Sequence, residues 1–249
     1  EAVRLAEREY SESNPFLPAL MVDSRRASWV YLTRPSGYQN VMEIGCGWGN
    51  SLPVLASKFD NVFAVDLAEE RLRFAQQRCL EMGIDNVNFG IGFDGDQIPF
   101  ESDSFDLVAM NGVLAYVPEM IPGNPREAQL RFLREVRRII RKGGALYVGS
   151  QNRFGWPYIK GTRDHCNFGW TSVMPRLAAD IYSKIRKGVG YRNYTYTAGG
   201  YKKLFRDAGF QKFDIYWPHH NHSSFRLITS LDQDGTRAIL STSNQWNKG

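Results

Sequence analysis

Short apolar segments alternate along the chain with longer segments in which apolar residues recur every three or four positions. The short segments predict strands, and the longer ones have the periodicity of amphipathic helices. Within the first 150 residues the predicted strands are 39–44, 61–65, 87–91, 105–110 and 145–149. Helices are predicted at 50–59, at 68–82, and from about Pro125 to the Gly143–Gly144 pair. The chain therefore alternates the two kinds of element.

This alternation predicts a doubly wound α/β sheet with parallel strands, because each crossover returns the chain on one side of the sheet. Ligands of such sheets bind beyond the carboxyl ends of the strands, near the switch in strand order. Residues 45–50 follow the first strand, Asp66 ends the second, and Asp94 follows the third. We expect these three to lie on one rim.

The segments around this pattern differ from it. Residues 1–38 are predicted to be an N-terminal helical cap, 39–150 the core, and 151–200 an inserted lid, because the last segment has scattered glycine, proline and aromatic residues. The core sheet is predicted to finish within residues 201–230, after a helix at 198–208, with strands at 210–217 and 225–229. Residues 231–249 form a polar tail.

Composition narrows the class of protein. The 249 residues are 43% hydrophobic and 23% charged, as expected of one globular domain. No apolar run approaches the roughly 20 residues that cross a bilayer, so we expect a cytoplasmic protein without a membrane span. The three cysteines lack metal-ligand spacing and fit a reducing compartment. The net charge of +5 is spread over helical faces and does not predict a nucleic-acid partner; monomer and homodimer both stay open.

The stretch VMEIGCGWGN, residues 41–50, joins the first strand to the next helix through Gly45, Gly47 and Gly49. Glycine tolerates positive φ and lets the backbone approach a ligand, so the turn is predicted to be shaped around a small molecule. A nicotinamide-binding turn would have its third glycine at position 50, where this chain has Asn50. An ordinary strand-to-helix turn is the alternative.

Three acids indicate what the turn binds. Asp66 can accept hydrogen bonds from both ribose hydroxyls of an adenosine, which several cofactors contain. Glu43 is poorly placed for a pyrophosphate but suits an ammonium group and a sulfonium-bearing ligand. Asp94 can accept from the adenine amino group. The combination favours a methyl donor over a nicotinamide.

VMEIGCGWGN, FAVDLA and GFDGDQIPFESDSFDLV resemble, in order and spacing, the glycine-rich, ribose and adenine motifs of class I S-adenosylmethionine-dependent methyltransferases of the methyltransferase-11-like kind. The resemblance implies S-adenosylmethionine as cofactor, S-adenosylhomocysteine as product, and a seven-stranded Rossmann-like sheet whose last strand is antiparallel. It implies cofactor contacts from ten residues: Glu43, Gly45, Cys46, Gly47, Gly49, Asp66, Leu67, Asp94, Gly95 and Asn111.

Most of the residues predicted to act on the methyl acceptor lie in the second half of the chain. Methyl transfer to a hydroxyl needs correct positioning of the reacting atoms and a general base. His165 with the neighbouring Asp164 is predicted to supply that base, because imidazole titrates near neutrality. A capping or interfacial role for His165 is the alternative. The candidate acceptor-binding residues are Tyr116, Trp170, Tyr194, Tyr196 and His219. Tyr116 departs from the family pattern, in which many relatives have a histidine there. No metal site is predicted.

The sequence therefore predicts a metal-independent O-methyltransferase that acts on a small molecule. A looser similarity of NRFGWPYIKGTRDH, GWTSVMPRLAADIY and YRNYTYTAGGYKKLFRDAGF to bacterial methyltransferases of glycan and natural-product assembly implies a sugar or natural-product hydroxyl as the acceptor. Two alternatives are kept. One is an RNA-modifying methyltransferase, suggested by the basic face of residues 131–142, and the other is a non-catalytic regulator that binds the cofactor.

Overall fold

The computed structural model describes residues 22–33, 37–92, 97–219 and 227–231. Its centre is a five-stranded sheet in the order β3-β2-β1-β4-β5, with every neighbouring pair parallel. The strands are β1 Asn40–Ile44, β2 Asn61–Asp66, β3 Val87–Ile91, β4 Phe105–Asn111 and β5 Ile140–Gly149. Since the chain runs outward from β1 to β3 and then returns to β4, strand order reverses between β1 and β4. The ligand site is expected at the carboxyl ends of these two strands.

Helices cover both faces of the sheet. The described helices are a 3-10 helix, Ser24–Leu32, and the α-helices Leu52–Ala56, Glu69–Glu81, Val117–Met120, Pro125–Ile139, Trp156–Ile159, Arg176–Lys187 and Ala198–Asp207. The helix Pro125–Ile139 begins as its sequence predicts, because Asn124 accepts hydrogen bonds from two backbone N–H groups of the first turn and proline occupies the first position. No helix within the described ranges has the length and apolar character to cross a membrane.

Alternate strand residues point to opposite faces, and the two faces build two hydrophobic cores. Met42 and Val108 pack with the helix Pro125–Ile139 on one side. Val41 and Leu107 pack on the other side with the helices Leu52–Ala56 and Glu69–Glu81 and with the 3-10 helix. Because both faces are covered, the predicted doubly wound α/β fold is confirmed.

The predicted seven-stranded sheet is wrong for the described residues. β6 Tyr216–His219 and β7 Leu227–Ser230 pair antiparallel in a separate two-stranded sheet, and residues 210–215 are not part of a strand. Pro218 has no N–H to donate, so β6 suits an edge position and cannot extend a ladder on both sides. β6 and β7 lie within or beside the strands predicted at 210–217 and 225–229, and they pair antiparallel.

The predicted N-terminal cap is described only in part. The 3-10 helix Ser24–Leu32 buries Ala27, Trp29 and Val30, and the Trp29 ring stacks on Tyr147 with 4.6 Å between centroids. Residues 1–21 of the predicted cap and 232–249 of the predicted tail lie outside the described residues.

Candidate functional site

The turn after β1 is built around three glycines. Gly45, Gly47 and Gly49 have φ values of 74°, 55° and 69°, a region that L side chains rarely adopt. A Cβ on Gly45 would lie 2.3 Å from Val113 Cγ2, and one on Gly49 would lie 2.8 Å from Ala75 Cβ. A Cβ on Gly47 would meet nothing within 4 Å. Two glycines are therefore required by packing, whereas Gly47 faces open space in which a ligand can approach the backbone.

Asp66 closes the turn from the end of β2. Its buried carboxylate accepts hydrogen bonds from Gly47 N–H at 2.8 Å and from Ala68 N–H at 2.9 Å, one on each oxygen. Each oxygen keeps a second lone pair for a ligand hydroxyl. Leu67 is 58% exposed and lies against Gly92, where a Cβ would come within 2.7 Å of Leu67 Cδ2. Asp66 thus lies beside an exposed apolar wall, as an adenosine requires.

Glu43 lies beneath the turn. Its carboxylate is 5% exposed and accepts from the Ser51 hydroxyl, whose oxygen is 2.6 Å and 2.5 Å from the two carboxylate oxygens. Burial raises the pKa of Glu43 to about 7, and the hydrogen bond from Ser51 opposes that shift. Burial also raises the pKa of the Cys46 thiol, so Cys46 stays neutral and takes the role of a packed side chain.

The loop after β4 lies over the glycine turn, since Val113 contacts Gly45. Asn111 ends β4 and packs against Gly149 at the end of β5, where a Cβ would lie 2.2 Å from Asn111 Oδ1. The same loop ends at Tyr116, which is 38% exposed. The carboxyl ends of β1, β2, β4 and β5 therefore meet at one rim. Asp94 and Gly95, the remaining predicted cofactor contacts, lie outside the described residues.

His165 joins this rim through Tyr116. The Tyr116 hydroxyl is 2.5 Å from His165 Nδ1, and Gln151 Nε2 is 3.0 Å from His165 Nε2. Desolvation lowers the pKa of His165 below its ordinary value, against the opposing charges of Asp164 and Glu119, and burial raises the pKa of Tyr116. At neutral pH the imidazole is therefore uncharged and can accept a proton. A neutral imidazole has one donor and one acceptor nitrogen. Because the Gln151 amide nitrogen can only donate, Nε2 is the acceptor and Nδ1–H donates to the Tyr116 oxygen.

Asp164 does not form the predicted pair with His165. Its buried carboxylate accepts from the hydroxyls of Thr171 and Tyr191, each at 2.6 Å, and from the backbone N–H groups of Cys166 at 2.9 Å and Phe168 at 3.2 Å. The two neighbouring side chains diverge because this loop turns around the carboxylate. Asp164 therefore shapes the loop that presents His165, and only its charge acts on the imidazole.

The other predicted acceptor residues are engaged within the chain. The Tyr194 ring lies 4.2 Å from the Arg176 guanidinium, and the Tyr196 hydroxyl donates to Gln129 Oε1 at 2.7 Å. Trp170 Nε1–H donates to the Ile159 carbonyl at 3.2 Å, and His219 Nε2 is 3.1 Å from Thr229 Oγ1 in the β6–β7 pair. Among these predicted residues, Tyr116 is the one that contacts His165 in the described part of the chain.

Two polar side chains, Gln129 and Arg192, tie the segment 151–200, the predicted lid, to the region beside the rim. The amide of Gln129, which is fully buried, donates to the carbonyls of Leu114 and Tyr194 at 2.8 Å and 2.9 Å. The Arg192 guanidinium donates to the carbonyls of Pro118, Ile121 and Gly123. The segment is thus tied to the loop that leads away from Tyr116, and its function as a lid stays a prediction.

Sequence reasoning missed Ser51 and Gln151. Gln151 comes two residues after β5, so the rule that functional groups follow parallel strands could have identified it. Ser51 directly follows the glycine turn, but no feature of its sequence indicates that its hydroxyl turns back to Glu43.

Residues 42–148 match the family model described as a methyltransferase domain. The chain is similar to the ubiquinone biosynthesis O-methyltransferase of Dechloromonas aromatica, with 26% identity over 209 residues that cover 77% of this chain and 85% of that protein. A solved S-adenosylmethionine-dependent methyltransferase from Methanosarcina mazei has a TM-score of 0.57 at 18% identity, covering 80% of this chain and 92% of that one. A geranyl diphosphate methyltransferase in complex with S-adenosylmethionine has a TM-score of 0.52 at 18% identity, and the match covers 78% of this chain and 67% of that one. At such identities the solved structures show the fold.

Proposed function

Because this chain carries the domain of the class I S-adenosylmethionine-dependent methyltransferases, we propose that it transfers a methyl group to a hydroxyl of a small-molecule acceptor. The observation that carries the hydroxyl assignment is the contact between a neutral His165 and the Tyr116 hydroxyl at the rim. The curated relative is named as an O-methyltransferase, which supports the same acceptor group. A sugar or natural-product scaffold is the acceptor class that the sequence resemblance suggests.

The residues at the rim fit S-adenosylmethionine. The open space at Gly47 admits the donor, Asp66 has lone pairs for the ribose hydroxyls, and the apolar surface of Leu67 suits the adenine. Glu43 supplies a buried carboxylate of the right charge for the ammonium group. When bound, the donor supplies a methyl group activated by a positively charged sulfur.

Proton removal is assigned to Tyr116 and His165 together. Both nitrogens of His165 have protein partners. A half-turn of the Gln151 amide, whose Oε1 is buried without a hydrogen-bond partner, would let that oxygen accept from His165 Nε2–H and free Nδ1 as the acceptor. In that tautomer the Tyr116 oxygen takes the acceptor proton while its own proton passes to His165 Nδ1. A bound donor would supply its methyl group to the acceptor oxygen, and the imidazolium would then release its proton to solvent. Gln151 thus decides through its amide orientation which nitrogen of His165 carries the proton.

The basic face of the helix Pro125–Ile139 lends little support to the RNA alternative. Four arginines of residues 131–142 have internal partners. Arg131 and Arg137 donate to backbone carbonyls, Arg138 pairs with Glu135, and Arg141 pairs with Asp106. These four guanidinium groups thus already have hydrogen-bond or ion-pair partners inside the fold.

The proposal is tested by incubating the full chain with S-adenosylmethionine and a panel of sugars and phenolic natural products, each matched to its deoxy analogue. We expect S-adenosylhomocysteine and an O-methylated product, identified by mass spectrometry, from at least one hydroxylated member and none from its deoxy partner. Tight binding of S-adenosylhomocysteine without product from any member would instead favour the non-catalytic regulator. Absence of binding by the folded protein would contradict the cofactor roles.

Binding of S-adenosylhomocysteine is expected to release up to one proton near pH 7. The pKa of Glu43 is about 7 in the free protein because the group is buried, and a ligand ammonium nearby favours the ionised form. Affinity should therefore fall about tenfold per pH unit below 7 and level off above it. Calorimetry in two buffers of different ionisation enthalpy measures the proton count. Glu43→Gln should abolish the release, and an unchanged count in that variant would exclude Glu43 as its source.

A further inference from the structure

The helix Arg176–Lys187 turns its apolar stripe away from the protein. Leu177, Ile181 and Ile185 are four residues apart, so they share one face, and they are 73%, 50% and 78% exposed. The residues that the helix buries, Ala179 and Ser183, lie on the opposite face. A surface helix ordinarily packs its apolar stripe on the core. Here the stripe is left available to something outside the chain.

The last turn of the helix is basic. At about 100° per residue, Lys184 and Lys187 fall on one side of the stripe, and Arg186 lies about 140° from its centre, toward the face that the helix buries. All three are exposed; Lys187 Nζ donates to the Cys166 carbonyl, and the one acid of the helix, Asp180, pairs with Lys184 at 2.7 Å. An aliphatic stripe on a basic helix is typical of a helix that lies in the interface of an anionic bilayer, with its apolar face among the acyl chains and its cations toward the phosphates.

The preceding part of the chain adds exposed apolar groups of the kind found at membrane interfaces. Trp156 is 65% exposed, Trp170 55% and Ile159 49%, and Lys160 lies over the Trp156 ring at 5.0 Å. Trp170 Nε1–H donates to the Ile159 carbonyl, which keeps two of them adjacent. Tryptophan is enriched where lipid head groups meet acyl chains. The exposed helix is therefore not an isolated apolar feature of this segment.

We propose that the helix Arg176–Lys187 docks in its own plane on an anionic lipid surface. Twelve residues are too few to cross a bilayer, which takes about 20, so the helix lies along the surface. A second copy of the chain is the other occupant that an apolar stripe could take, and the experiments below distinguish it from a lipid surface. The proposal goes beyond methyl transfer and does not depend on it.

Co-sedimentation of the full chain with vesicles tests the proposal. We expect binding to vesicles of equal parts phosphatidylcholine and phosphatidylglycerol, weak binding to phosphatidylcholine alone, and a loss of the difference at high salt. The variant L177Q/I181Q/I185Q should bind the anionic vesicles about tenfold less tightly or worse, because glutamine keeps the helix but removes the inserted side chains.

The matched control Y31Q/L80Q/M82Q removes apolar side chains that are 70%, 72% and 53% exposed elsewhere on the protein. It should bind vesicles as the wild type does, which separates insertion of this helix from general surface hydrophobicity. Circular dichroism and affinity for S-adenosylhomocysteine should be unchanged in both triple variants and show that each is folded.

A third variant tests the contribution of the cations to vesicle binding. K184Q/R186Q/K187Q should lose the preference for anionic over neutral vesicles. Three results would overturn the proposal. The first is a wild type that stays in the supernatant with anionic vesicles, and the second is an L177Q/I181Q/I185Q variant that binds them as tightly as the wild type. The third is a dimer in sedimentation velocity that these three substitutions dissociate while vesicle binding is absent. The last result would assign the face to a second copy of the chain.

Discussion

Replacing His165 by glutamine is expected to lower turnover by about 10²- to 10⁴-fold, the usual contribution of a positioned general base. Affinity for S-adenosylhomocysteine should stay unchanged, since His165 is bonded to Tyr116 and Gln151 and to none of the residues assigned to the donor. Turnover of the wild type should fall as the pH drops below the pKa of His165, which lies below its ordinary value, because the protonated ring cannot accept a proton. Initial rates across pH measure both effects.

Tyr116→Phe is the matched control for the relay. It keeps the ring contact with His165, whose centroid is 4.4 Å from that of Tyr116, and removes only the hydroxyl. If Tyr116 carries the proton, this variant should lose turnover nearly as far as His165→Gln and lose the acidic limb of the pH profile. Turnover that persists in Tyr116→Phe but not in His165→Gln would show that the imidazole acts directly on the acceptor. Unchanged turnover in both would refute the assigned base.

Replacing Asp66 by alanine is expected to weaken binding of S-adenosylhomocysteine about 100-fold. Hydrogen bonds to a charged group contribute about 1.5–3 kcal/mol each, and the ribose has two hydroxyls for this carboxylate. The change also leaves the N–H groups of Gly47 and Ala68 without their acceptor, so the turn itself loses definition. Isothermal titration measures the affinity, and a melting curve reports how much of the loss comes from destabilisation.

Asp60→Ala serves as the control, because Asp60 is an exposed acid before the same strand and its loss changes the net charge equally. Affinity for S-adenosylhomocysteine should be that of the wild type in this variant. Equal weakening by the two substitutions would indicate a general charge effect, and would remove Asp66 from the ribose site.

The elements that agree with prediction are those whose signals are local. The strand Val87–Ile91 has the predicted bounds, and the positive φ of Gly45, Gly47 and Gly49 follows from the glycine turn. The predicted bounds are less accurate where the length of a helix or strand depends on the elements that pack against it. The helix predicted at 50–59 is Leu52–Ala56, and β5 begins at Ile140, within the predicted helix. A helix end is decided by the chain that packs on it, which periodicity does not report.

The predicted pairing of Asp164 with His165 shows that local sequence is equally limited in predicting the site. Asp164 and His165 are adjacent in sequence, but adjacency does not decide where two side chains of a loop point. Their divergence depends on Thr171 and Tyr191, which are 7 and 27 positions from Asp164 and capture its carboxylate. The partners that His165 does have, Tyr116 and Gln151, come from the ends of two different strands.

The amino-acid order determined the alternation of strands and helices, the glycine turn, and the acids that favour a methyl donor, because each depends on residues a few positions apart. Tertiary packing decided that the last two strands leave the main sheet, that Asp164 turns inward, and that the stripe of Leu177, Ile181 and Ile185 faces solvent. Periodicity shows that a helix has an apolar face. Which side of that helix meets the protein depends on contacts between distant parts of the chain.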